Sequence, residues 1–94
     1  MNRLERMFKA ADLQANEGVL IHKPSNIFYL SGYTGEGLLA VGHGFQAIIT
    51  DFRYTEQAER QAPGFQVLMV EKGVSHAKLA AKVFAEHEIK AVRY

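Results

Sequence analysis

The sequence predicts an α/β domain built on a mixed β-sheet with flanking helices. Stretches with apolar residues at three- and four-residue steps alternate with short β-type apolar runs, the pattern of a sheet covered by helices. Two of those runs, "GLLAVG" and "FQAIIT", meet at His43-Gly44, a hairpin signal that rules out an all-parallel sheet. The chain has 94 residues, 48% of them apolar, which suits one small folded domain with a core.

In order, the elements read α-β-α-β-β-α-β-α-β. Leu4, Met7, Phe8, Ala11 and Ala15 share one face of an opening helix. Asn2, with Glu5 three residues on, resembles an N-terminal cap, and Gly18 marks the stop. "VLIH" (Val19 to His22) is a short buried strand. Pro24 suits a first helical turn, so "SNIFYLSG" reads as a short helix ended by Gly32. After the hairpin, Asp51 is placed to cap a helix over "FRYTEQAERQA", which Pro63-Gly64 ends. "FQVLMVE" is the next strand. Gly73 and Ser75 open a last helix with Leu79, Ala80, Val83 and Phe84 inward, and "IKAVRY" begins a further strand. The expected core includes Leu30, Leu39, Ile48, Val67, Met69, Val83 and Phe84. Phe28, Tyr29 and Leu30 are consecutive, so two are expected inward and one outward. Tyr33, between glycines, is expected on an exposed loop.

Composition excludes several functions. A net charge of +1 with no block of one sign argues against nucleic-acid binding. No cysteine is present, which removes disulfides and thiolate zinc sites and fits a reducing compartment. The apolar runs are too short to span a bilayer, and the first residues do not form a signal peptide, so no membrane association and a cytoplasmic location are expected.

No catalytic constellation is present either. "GYTGEG" follows a helix and precedes a strand, whereas a dinucleotide loop runs from strand to helix; it reads as a joint. His76 and His87 share a helix face, but their spacing corresponds to roughly 16 Å, too far for one metal ion. Ser25, Ser31 and Ser75 stand where helix ends want a hydroxyl. Glu56/Glu59 and Glu86/Glu88 read as solvated helix faces. The chain stops inside a strand that buries little by itself, so a piece of a larger protein is expected.

Two motifs flank the hairpin: "NIFYLSGY" (Asn26 to Tyr33) and "TDFRYTEQA" (Thr50 to Ala58). Together they resemble the N-terminal domain of the creatinase/prolidase/aminopeptidase P family. Asn26, Ile27, Tyr29, Leu30, Ser31, Gly32 and Tyr33 fit the first part of its pattern. Asp51, Arg53, Tyr54 and Ala58 fit the second. The resemblance implies a ribonuclease H-like arrangement and places residues 1–94 in a truncated, non-catalytic N-terminal domain of a bacterial Xaa-Pro dipeptidase or aminopeptidase P. It implies a missing C-terminal pita-bread domain that hydrolyses Xaa-Pro bonds with two divalent metals (manganese, cobalt or zinc), so that no catalytic or metal-binding residue lies in this chain. It also implies partners: the chain's own catalytic domain, Xaa-Pro peptides as substrates of the whole enzyme, and a second copy in a homodimer. The role implied for this domain is to shape the active-site mouth and the oligomer; the alternative is a stand-alone binding module of the same fold. Arg53 has two readings: an ion pair with Asp51 or Glu56, or, following the resemblance, a guanidinium that binds a dipeptide's carboxylate at a neighbouring subunit's active site.

Overall fold

The computed structural model describes residues 3–93. Its elements are α1 (Arg3–Ala10), β1 (Glu17–Ile21), α2 (Pro24–Ser31), β2 (Leu38–Gly42), β3 (Phe45–Thr50), α3 (Thr55–Gln61), β4 (Gln66–Met69), α4 (His76–Glu86) and β5 (Ala91–Arg93), in the order expected. The strands form one mixed sheet, ordered β4-β3-β2-β1-β5. The central strand β2 runs antiparallel to both β1 and β3, and the edge strands β4 and β5 lie parallel to β3 and β1.

Two apolar layers follow from strand alternation. Leu39, Val41 and Ile48 point to one face, which is covered by Leu4 and Phe8 of α1, Ile27 of α2 and Ala58 of α3. Ala40 and Ile49 point to the other, where α4 supplies Ala80, Val83 and Phe84. The hairpin forms as expected: Gly42 pairs with Phe45, and Gly44 takes a φ of 89°, which glycine adopts without strain. At the β5 edge, Arg93 donates to both carboxylate oxygens of Glu17 and, at 2.6 Å, to the carbonyl of Ala11.

Several expectations are corrected. The opening helix stops at Ala10, leaving Ala11 and Ala15 outside it. Asp12 takes the left-handed conformation (φ 52°), and Leu13 N–H reaches back to the carbonyl of Phe8 at 2.9 Å, closing a Schellman motif. Gly18 is instead a strand residue; a Cβ there would stand 2.5 Å from the Phe84 ring, so its role is to let α4 approach β1. The expected cap Asn2 lies outside the described residues.

The helix expected after Asp51 begins only at Thr55, with Tyr54 at its N-cap. Asp51 holds the turn before it, because its carboxylate is satisfied locally by the Arg53 backbone N–H. Met69 is 48% exposed rather than core, since it ends the edge strand β4. Leu30 and Val67 pack only partly buried against the first layer. Of the three consecutive residues, Phe28 and Tyr29 face out and Leu30 faces in, the reverse of the expected proportion. A short helix packed by one stripe has room for only part of such a run.

Candidate functional site

Tyr33 is the centre of a buried polar group, against expectation: it is 1% exposed. Its hydroxyl donates to the carbonyl of Glu36 at 2.6 Å and lies 3.0 Å from the hydroxyl of Thr50, the buried last residue of β3. The Thr50 hydroxyl also reaches the Glu36 carbonyl, at 2.6 Å. Burial pushes the Tyr33 hydroxyl's pKa up. The loop of residues 34–37 is thereby fastened from beneath. Gly37 permits this, because a Cβ there would run into the carbonyl oxygen of Ile49. Thr34 fastens the same loop sideways, its N–H donating to Gln61 of α3 at 2.9 Å. The glycines of "GYTGEG" thus serve a packed joint, as the sequence indicates.

Anchoring the loop carries the Glu36 side chain outward to Arg53. The Arg53 guanidinium sits on Asp51 by two parallel bonds, Nε to Oδ1 at 3.1 Å and Nη2 to Oδ2 at 2.8 Å, with Glu36 at 3.6 Å. It also lies 5.2 Å from the centre of the Tyr54 ring. Hydrogen bonds from Arg53 hold the Asp51 carboxyl below its ordinary pKa, and Asp51 in turn raises that of Arg53. Arg53 precedes α3 rather than standing in its first turn. Of the two acids read as its partners, Asp51 is one and Glu56 is replaced by Glu36. Sequence spacing favours Glu56, three residues away; Glu36 is brought in by the hairpin, and only the "GEG" flanks hint at a loop free to approach. One positive and two negative groups leave the cluster net negative.

Beside this cluster a shallow cavity of about 340 Å³ opens between Pro24, Ile27, Thr34, Glu36, Tyr54 and Gln57. A larger one of about 680 Å³ lies between α1, β1 and α2, lined by Leu20, Ile21, Arg3, Arg6, Lys23 and Tyr29. Ser75 caps α4, accepting from Lys78 N–H at 3.1 Å. His87 stacks on Phe45 at 4.3 Å and so belongs to the boundary of the core. Among the described residues, no three histidine, aspartate or glutamate side chains converge to hold a metal ion. Among the same residues, no helix is long and apolar enough to cross a membrane.

Comparison with known proteins identifies the family and the fold. The family described as the Creatinase/Prolidase N-terminal domain matches residues 2–92. An uncharacterized peptidase of Bacillus subtilis, YqhT, is 37% identical over 98% of this chain and 26% of its own. The Xaa-Pro dipeptidase from Bacillus anthracis superimposes with a TM-score of 0.80 at 28% identity, over 96% of this chain and 24% of that one. The X-Pro aminopeptidase from Thermotoga maritima does so at 0.78 and 27%, over 97% of this chain and 25% of that one. The chain thus spans about a quarter of the length of these relatives.

Proposed function

Because the chain belongs to the creatinase/prolidase N-terminal domain family, we propose that it is the non-catalytic N-terminal domain of a longer Xaa-Pro metallopeptidase, a dipeptidase or aminopeptidase P. The observation that carries this reading is a family match over residues 2–92 together with relatives that are peptidases about four times as long. In this reading the chemistry belongs to a separate C-terminal domain of pita-bread form. Two divalent metals there, manganese, cobalt or zinc, supply a water of lowered pKa for cleavage of the Xaa-Pro bond. The present domain shapes the mouth of that site and takes part in a homodimer, in the cytoplasm.

Arg53 is the residue through which it would touch substrate. Its side chain is 58% exposed, and the Nη1 side of the guanidinium is free of the Asp51 fork. Two parallel bonds to a dipeptide's carboxylate need that side, and they need the exposed Glu36 carboxylate to swing away. Asp51 then orients the guanidinium while the substrate takes Glu36's place.

The test has two arms. The purified chain, incubated with manganese or cobalt and Xaa-Pro peptides, is expected to show no turnover; activity that copurifies with it overturns the reading. In the longer polypeptide that carries this chain, Arg53→Lys is expected to raise KM for a dipeptide while sparing a longer peptide, because lysine keeps the charge and loses the fork. Glu36→Gln is expected to lower the dipeptide KM. Equal effects on both substrates make Arg53 structural.

A further inference from the structure

The two edges of the sheet are built differently. β5 is three residues long and flanked by Lys90, with Arg93 within it, so charge protects it from pairing. β4, Gln66–Met69, carries no charge and no proline, and its register with β3 is unbroken from Gln66 to Met69. Val70 N–H donates inward to the Thr50 carbonyl at 2.8 Å, so by strand alternation the N–H and C=O of Val67 and Met69 point outward. Among the described residues nothing pairs with that outer side. At the same place Met69 is 48% exposed.

We propose that the outer edge of β4 is a self-association surface, on which β4 of a second copy pairs antiparallel about a two-fold axis. An antiparallel pair is its own symmetry mate, so one strand can satisfy the same strand. One register uses every outward group: Leu68 faces Leu68 of the other copy, and Val67 faces Met69 on both sides of the axis. Val67 and Met69 of each copy then exchange their N–H and C=O bonds. Leu68 forms the close, non-hydrogen-bonded pair. The exposed Met69 gains a valine against it on the same sheet face. Glu71 and Lys72, one of each sign, fall beyond the pairing and bring no net charge to it. A strand pair this short buries less than the ~1,200 Å² of a stable specific interface, so association is weak in the 94-residue chain and gains from any further contact. The inference deepens the homodimer reading above by giving it a surface.

Sedimentation velocity on the full 94-residue chain, from about 10 μM to about 1 mM, is expected to show a reversible dimer with Kd in the high-micromolar range. Met69→Pro removes an outward N–H and is tolerated on an edge, and Met69→Lys adds charge. Each is expected to weaken the dimer roughly 10-fold or more with little change in melting temperature. Register is read by cross-linking, because the chain has no other cysteine. Leu68→Cys is expected to form a disulfide with itself across the close pair, and Met69→Cys, whose mate lies ~7–8 Å away on the diagonal, is not. A dimer that survives both Met69 variants, or equal cross-linking at the two positions, overturns the β4 edge and leaves the homodimer reading standing. A chain monomeric at every concentration overturns the edge as a self-association surface.

Discussion

Tyr33 shows how much one hydroxyl can do in a domain of this size. It sits buried against Thr50 and supports the carbonyl of Glu36. Tyr33→Phe keeps the ring and removes the donor, with an expected loss of about 1–2 kcal/mol, measured by urea unfolding. The second consequence is more diagnostic. If the hydroxyl holds the loop that presents Glu36, amide exchange at residues 34–37 accelerates in Tyr33→Phe, while exchange in β1 stays as it was. Uniform acceleration would show that the hydroxyl supports the whole fold rather than this loop.

At the level of elements, helix ends and turns account for most of the local order. Both α1 and α4 end in a Schellman motif whose left-handed residue is acidic: Asp12 (φ 52°) and Glu88 (φ 57°). An acid is unfavourable there twice over, for its Cβ and for its charge at a helix C-terminus. Glu88→Gly is therefore expected to raise stability by about 1 kcal/mol, read as a higher melting temperature. The hairpin gives the opposite case. Gly44 has open space where a Cβ would go, so Gly44→Val meets backbone strain alone, at an expected cost of about 1 kcal/mol or more. An unchanged melting temperature would count against the left-handed turn.

For the whole molecule, α4 is the helix that packs on the second face of the sheet among the described residues, and Phe84 is its anchor. It is 5% exposed and meets Phe45 edge-on at 5.9 Å. Phe84→Ala is expected to cost about 3–5 kcal/mol, enough to unfold much of the population of so small a domain. Two carboxylates at opposite ends of the sheet contribute to acid sensitivity. Asp51 is lowered by hydrogen bonds from Arg53, and Glu17 by the Gln14 N–H and by Arg93. A carboxylate depressed in the native state adds stability that is complete above its ordinary pKa. That stability disappears as pH falls through the native value. Unfolding midpoints are therefore expected to fall on acidification below the ordinary carboxylate range, and less steeply in Asp51→Asn with Glu17→Gln.

The sequence by itself determined the element order, the hairpin, the serine cap of α4 and the inward stripe of Ala80, Val83 and Phe84. Each of these depends on residues close together along the chain, where periodicity and capping chemistry act directly. The motifs around the hairpin also identified the family, because both lie in contiguous runs. Tertiary structure alone decided where Gly18, Tyr33, Met69 and Glu36 belong. Gly18 looks like a stop until Phe84 is laid across it, and Tyr33 looks exposed until Thr50, seventeen residues on, meets its hydroxyl. Met69 reads as core until β4 is placed at the sheet edge. Glu36 reaches Arg53 only because the hairpin folds back and brings the two loops together. Burial and pairing across the sheet depend on which strands become neighbours, and that is a property of the assembled topology rather than of any local run of residues.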